Sequence, residues 1–207
     1  MNVILIGPPA SGKGTQAKLI TEKFNLVHIS TGDLIRNVIE QNNELSNKLK
    51  EYVNNGKLVP DNLIIDILKD YLKNINTSKG LLFDGFPRTV FQAMELQKLL
   101  DIDYVFEINT SLNSIVKRIE NRYICSKCGK GHTKTSKQNL VCDYCNEALT
   151  KRADDTKEKV TVRYNDYLKI TYPVIEFYKN TKMYKQVDGE KSSHEVFEQI
   201  CGVIESI

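Results

Sequence analysis

An apolar, β-branched run, Met1 to Ile6 (MNVILI), leads straight into Gly7-Pro8-Pro9-Ala10-Ser11-Gly12-Lys13-Gly14-Thr15 and then into the amphipathic helical pattern QAKLITEKF. Strand, glycine loop, helix: that order constrains the chain more than any other stretch. With Gly7, four residues, then Gly12-Lys13, bare backbone N–H groups can curl around phosphate oxygens while the new helix turns its positive end to the same anion. Lys13 is then placed to reach the β- and γ-phosphates. The loop departs from the plain motif at one point. A hydroxyl is expected directly after the lysine, but Gly14 intervenes and Thr15 supplies it.

The 207 residues suffice for one core domain with sizeable insertions, or for two small domains. With 27% charged and 41% hydrophobic residues the chain reads as soluble and globular, and a net charge of +3 does not by itself argue for nucleic acid. Met1 opens directly on a strand too short for a secretory h-region, and no apolar stretch has the length of a membrane helix. These features predict a cytoplasmic protein with no membrane partner.

Beyond the first helix the sequence alternates. Leu26 to Ser30 predicts a strand, and Thr31-Gly32-Asp33 a turn into the helix LIRNVIEQ. The polar run NNELSNKLKEYVNNG carries a thin apolar stripe at Leu45, Leu49 and Val53, which predicts a small helical insertion rather than central core. Asp61 is the expected N-cap of the helix NLIIDILKDYL. Further strands are predicted at Leu81 to Asp84, Tyr104 to Ile108 and Met183 to Val187. Helices are predicted over TVFQAMELQKLL, Leu112 to Asn121, a long segment from Thr156 to Tyr178 that Pro173 bends, and from Ser192 onward. Five strands interleaved with helices imply a doubly wound parallel α/β sheet.

Lys13, Arg36, Arg88, Arg118, Arg122, Arg152 and Arg163 form a set of cations suited to two polyphosphates meeting end to end, because a guanidinium grips two phosphate oxygens at once and stays charged. No carboxylate stands out as a general base. A phosphate monoester acceptor needs none, since its second pKa is near ~6, so the missing base favours a nucleotide acceptor over a sugar or protein. Asp84, ending a strand, fits a position holding Mg²⁺ or its water shell; it fits equally as a cap for the DGFP bend. Residues 123 to 150 break the alternation. There Cys125-x-x-Cys128 and Cys142-x-x-Cys145 form two tight pairs, close to the pattern of a closed, structural four-thiolate zinc site although the gap between them is slightly shorter than usual. His132 is expected to pack rather than ligate, and Cys201 to lie in the core.

Gly7 to Thr15 with Gln16, Ser30-Thr31-Gly32-Asp33 with Arg36, Gly56-Lys57-Leu58-Val59, Asp84-Gly85-Phe86-Pro87-Arg88 with Gln92, and Arg152-Ala153-Asp154-Asp155 with Arg163 stand in the order of the adenylate kinase motifs. From end to end the chain resembles that family, and DGFPR is far more specific than the glycine loop alone. The resemblance implies a P-loop NTPase-type core with a five-stranded parallel sheet flanked by helices, over residues 1–29, 60–121 and 156–207. It implies a small helical monophosphate-binding insertion over 30–59 and a lid over 122–155, similar to the zinc-bearing lids of some bacterial members. The lid is short, and Gly131-His132 stands where an aromatic often precedes the histidine.

The implied reaction is reversible transfer of the γ-phosphoryl group of MgATP to AMP, giving two ADP, in a monomer. By resemblance ATP is held by Gly7 to Thr15, Arg118, Arg122 and Lys191. AMP is held by Thr31, Arg36, Lys57, Leu58, Val59, Gly85, Arg88, Gln92, Arg152 and Arg163, with Gln92 bonding the base. Lys13, Arg88, Arg122, Arg152 and Arg163 form the implied catalytic set. Thr31 favours adenine, because relatives that prefer pyrimidine monophosphates tend to carry alanine there. A GTPase would carry an N-K-x-D tetrapeptide, which is absent. A zinc-ribbon nucleic-acid module would use Lys134, Lys137 and Lys151 but leave the nucleotide motifs idle. A kinase for UMP, CMP or GMP is the nearest alternative.

Overall fold

The computed structural model describes residues 1–54, 58–128, 131–134, 139–151 and 155–206. The chain opens with β1 (Asn2–Ile6), α1 (Lys13–Phe24), β2 (Val27–Ser30), α2 (Thr31–Glu40), α3 (Glu44–Asn54) and α4 (Asp61–Lys73). It continues through β3 (Leu81–Asp84), α5 (Val90–Leu99), β4 (Tyr104–Asn109) and α6 (Leu112–Glu120), then three short strands, β5 (Arg122–Cys125), β6 (Gly131–Thr133) and β7 (Leu149–Thr150). It closes with α7 (Lys157–Asp166), a π-helical turn (Tyr167–Thr171), α8 (Tyr172–Lys179), β8 (Tyr184–Asp188) and α9 (Ser193–Glu205).

The main sheet has five strands in the order β2-β3-β1-β4-β8, with every neighbouring pair parallel. Its three central strands, β3, β1 and β4, are mostly buried and apolar on both faces, as helices on both sides require. The period of two divides β1 cleanly. Val3 and Leu5 point into a cluster with Ala17 and Ile20 of α1 and Val196 and Ile200 of α9. Ile4 and Ile6 point the other way, to Ile64, Ile65 and Leu68 of α4, Ala93 and Leu96 of α5, and Val174 and Tyr178 of α8. From β1 the chain runs through α1 to β2 on one side, and from β3 through α5 to β4 on the other. The strand order therefore reverses between β1 and β3, and open parallel sheets bind ligands at the carboxyl ends of the strands at such a point.

The predicted strands and helices all appear, with ends shifted by up to three residues: α1 begins at Lys13 rather than Gln16, and Thr31 to Asp33 already form the first turn of α2. The insertion is better anchored than its thin stripe suggests: Leu49 is fully buried and Leu34 joins the same cluster as α4, although Val53 is 45% exposed and takes no part. Asp61 is the first residue of α4 rather than its N-cap, the place before it being taken by Pro60. Pro173 does not simply bend a helix. It has no N–H for the ladder and its ring crowds the carbonyl four residues back, and just before it the ladder shifts so that Tyr172 N–H donates to Tyr167 C=O. The second sheet, β6-β5-β7, is antiparallel, with its own small cluster of Cys125, Cys142 and Leu149. Among the described residues no helix is long and apolar enough to cross a membrane.

Candidate active site and cysteine cluster

The loop after β1 folds back on itself. Ser11 N–H donates to Pro8 C=O at 3.2 Å, Ala10 and Gly12 take φ values of 60° and 102°, and Gly12 C=O accepts the N–H groups of Thr15 and Gln16 at 3.0 Å to start α1. A Cβ at Gly7 would lie 2.8 Å from Ile108 C=O, so glycine alone lets the loop pass this close to β4. Lys13 Nζ reaches back over the loop and donates to the carbonyls of Gly7 and Pro8, each at 2.8 Å. Its pKa is lowered to about 8, first by burial; Asp84 opposes this, while Arg88, Arg163 and Arg122 push it further down. Residues far apart in sequence thus converge on one cationic focus beside the glycine loop. Arg163 also acts on Arg88: loss of water, then the Arg163 guanidinium, lower the pKa of Arg88.

Asp84 lies at the carboxyl end of β3 with Oδ2 3.6 Å from His28 Nε2, and the same oxygen would stand 3.4 Å from a Cβ on Gly14. The carboxylate therefore faces the first turn of α1. Among the described hydrogen bonds none ties it to the backbone of Gly85 to Arg88, so capping of that bend does not account for it. A hard oxygen donor beside a phosphate loop suits Mg²⁺ or its water shell.

Two of the residues that the resemblance gives to AMP, Thr31 and Arg88, meet at Gly85. Its carbonyl accepts the Thr31 hydroxyl at 3.0 Å and Arg88 Nε at 2.8 Å. Gln92 is only 4% exposed: its Oε1 accepts the Arg88 backbone N–H at 2.7 Å and its Nε2 donates to Asp61 Oδ1 at 2.7 Å. Asp61 Oδ2 in turn accepts the Thr89 hydroxyl at 2.8 Å, and Thr89 Oγ1 caps α5 by accepting the Gln92 N–H at 3.1 Å. Arg36 pairs with Asp33, one turn earlier on α2, and lies over Gly32. Leu58 and Val59 are half-buried and buried just ahead of α4. Lys57 and Arg152 lie outside the described residues.

Arg118, on α6, joins two loops: one nitrogen donates to Ser11 C=O at 3.0 Å, and the other to Gly189 C=O in the turn after β8. Lys191 belongs to that same turn. Arg122, at the start of β5, makes a two-pronged ion pair with Asp155, Nε and one terminal nitrogen donating at 2.7 and 2.6 Å, and the Asp155 side chain is 1% exposed.

In the small sheet the sulfurs of Cys125, Cys128, Cys142 and Cys145 lie within 4.8 Å of one another, with Cys125–Cys145 at 3.4 Å and Cys128–Cys142 at 3.6 Å. Four sulfurs about 2.3 Å from a tetrahedral zinc stand about 3.8 Å apart, so the cluster has the right size; a disulfide would need ~2.05 Å. The Cys128 N–H donates to Cys125 Sγ and lowers that thiol to about 7. Cys145 goes the other way: the Glu147 N–H pulls it down, but the neighbouring sulfur of Cys125, burial, and Cys142 and Cys128 outweigh that and push it up to about 12. One thiol ionises readily and another resists, as expected of a ligand set that lacks a counter-charge, and a dication supplies one. The donors fit a structural zinc. His132 is buried with Nδ1 3.2 Å from Asp143, outside the sulfur cluster, and Cys201 is buried on α9.

The family model for adenylate kinase matches residues 5–183. The chain belongs to the adenylate kinase family. Among curated relatives, the adenylate kinase of Clostridium tetani is 45% identical over the whole of both chains. That of Thermosipho africanus is 41% identical over 99% of each chain, and that of Mycoplasma mycoides 41% over 98% of each. Membership makes the chain a phosphotransferase, and of the family motifs the glycine loop follows β1, while Asp84 ends β3 and Gly85 to Arg88 follow it, at the reversal of strand order. Two acidic partners escaped the sequence reading. Asp61 is 28 residues from Thr89 and 31 from Gln92, and only the packing of α4 on α5 brings them together. Asp155 had a faint signal, as the last residue of the quoted Arg152 to Asp155 motif.

Proposed function

We propose that this chain catalyses reversible transfer of the γ-phosphoryl group of ATP to AMP, giving two ADP, in the cytoplasm, as a monomer and without nucleic-acid or membrane partners. The observation that carries the reading is the convergence of Lys13, Arg88, Arg163 and Arg122 beside Asp84 at the reversal of strand order. Phosphoryl transfer asks for alignment and positive charge more than for covalent chemistry, and the loop backbone, the α1 terminus and Lys13 offer both to the donor's phosphates. Mg²⁺, arriving with ATP and held by Asp84 or through its waters, would neutralise part of the phosphate charge.

The acceptor monophosphate is given to Arg36, Arg88, Arg163 and Arg152, its base to Gln92, and the sugar and base edge to Thr31, Gly85 and the stretch Lys57 to Val59. ATP is given to Gly7 to Thr15 with Arg118, Arg122 and Lys191, of which Arg118 joins the Ser11 and Gly189 loops. We assign residues 1–29, 60–121 and 156–207 to the core, 30–59 to the acceptor insertion and 122–155 to a zinc-bearing lid. That division is supported by the separate antiparallel sheet and small cluster around the cysteines. Closure of the lid and insertion excludes the water that would otherwise accept the phosphoryl group. A coupled assay of MgATP consumption against AMP, UMP, CMP and GMP tests the assignment. Turnover confined to AMP is expected; preferred turnover with a pyrimidine monophosphate or GMP would overturn the acceptor assignment, and turnover with none would overturn the reaction.

A further inference from the structure

The buried amide of Gln92 is held at both ends by groups that cannot exchange roles. Its oxygen faces a donor that can only donate, the Arg88 backbone N–H, and its nitrogen faces an acceptor that can only accept, the Asp61 carboxylate. Turned over by 180°, the amide would set its oxygen against a carboxylate oxygen and its NH₂ against an N–H. Both contacts would be lost and both replaced by repulsion. Asp61 is fixed in its turn, since its second oxygen accepts the hydroxyl of Thr89, whose Oγ1 also receives the Gln92 N–H as the cap of α5.

These contacts use one of the two lone pairs on Gln92 Oε1 and one of the two hydrogens on Nε2, leaving one acceptor and one donor in a fixed order. Adenine presents the complement of such a pair, an N6–H donor beside a ring-nitrogen acceptor. Hypoxanthine and guanine present the reverse along the Watson–Crick edge, an O6 acceptor beside an N1–H donor. A turned amide would suit them.

We infer that Asp61 is a positioning residue that sets the donor–acceptor polarity of the Gln92 amide and thereby makes the acceptor site read adenine in preference to 6-oxopurines. This rests on the proposed placement of Gln92 at the acceptor base. In Asp61→Asn, Thr89 Oγ1 can accept from the new NH₂ as well as donate to the new oxygen, so the Asn amide can turn either end to Gln92 and no longer forbids the turned glutamine. Asp61→Ala withdraws the lock without offering a donor.

The experiment measures kcat and KM for AMP and for inosine monophosphate, with MgATP saturating, in the wild type, Asp61→Asn, Asp61→Ala and Gln92→Ala, with melting temperatures alongside. The AMP-to-IMP ratio of kcat/KM is expected to fall several-fold in both Asp61→Asn and Asp61→Ala, through a raised KM for AMP and a lowered KM for IMP, with kcat on AMP changed far less. A purely structural link between α4 and α5 would lower melting temperature and kcat together and leave the ratio where it was, and that result overturns the inference. If Asp61→Asn does not fold, an unchanged ratio in Asp61→Ala overturns it equally. An unchanged ratio in Gln92→Ala would instead refute the placement of Gln92 at the base, so the two failures are distinguishable.

Discussion

Removing the metal from the cysteine cluster should unfasten the small sheet while leaving the five-stranded sheet standing. Apart from the cysteines, the buried cluster of β5 to β7 contains Leu149 alone among the described residues, with Tyr123 packed at its edge. Full burial of one leucine stabilises by roughly 1.5–3 kcal/mol, whereas a structural zinc in a small domain contributes about 10–16 kcal/mol at neutral pH. The metal therefore outweighs the apolar core of this sheet about fivefold, while the main sheet has two extensive clusters of its own. The assay is amide hydrogen exchange on metal-loaded and chelator-treated protein, with zinc content measured in parallel. Protection should collapse over residues 122–151 and persist in β1, β3 and β4. Turnover should fall as a consequence, because Arg122 sits on β5 and needs that strand to meet Asp155. Unchanged exchange in 122–151 after verified loss of metal would refute the reasoning.

Three other outcomes follow from the geometry. Arg88→Ala should lower kcat roughly 10²–10³-fold with little change in melting temperature, because alanine keeps the backbone N–H that Gln92 accepts and gives up one side-chain hydrogen bond, that of Nε to Gly85 C=O. The kcat/KM for ATP should decline as pH rises through about 8: Lys13 is charged below that value in the free protein and neutral above it, and phosphate needs the charged form. Lys13→Arg should remove that inflection. Leu49→Ala, deleting a fully buried side chain of α3, should cost about 2–5 kcal/mol in denaturant titration, a loss that an insertion held only by a thin stripe would not show.

What the sequence displayed was local order. The alternation of apolar strands with amphipathic helices gave the parallel sheet, and the glycine loop gave the phosphate end of the site, because both depend on residues within a few positions of one another. The CxxC pairs were legible for the same reason: each knuckle is a local turn, and their meeting needs one small hairpin-like sheet. Asp61 was misread as a cap because a carboxylate at a helix start has a local explanation, and its partners, Thr89 and Gln92, become neighbours only when α4 packs on α5. The burial of Leu49 and exposure of Val53 were hidden likewise, since a stripe shows which face is apolar but not how far along the helix the neighbouring helices reach. The ion pair of Arg122 with Asp155 spans 33 positions and closes across the ends of an inserted sheet.

The π-helical turn from Tyr167 to Thr171 has a further meaning for the site. Each residue of an α-helix advances the side chains by about 100°, and a π turn amounts to one residue more than the regular ladder would hold. Everything on its amino-terminal side is therefore dialled round by roughly that angle relative to α8, whose Val174 and Tyr178 are seated in the core. Arg163 lies on the dialled side, so the turn sets which face of the helix carries it, a face near enough to Lys13 and Arg88 for its charge to act on both. One surplus residue, in a turn that begins four positions after Arg163, acts as the set-screw of that phase.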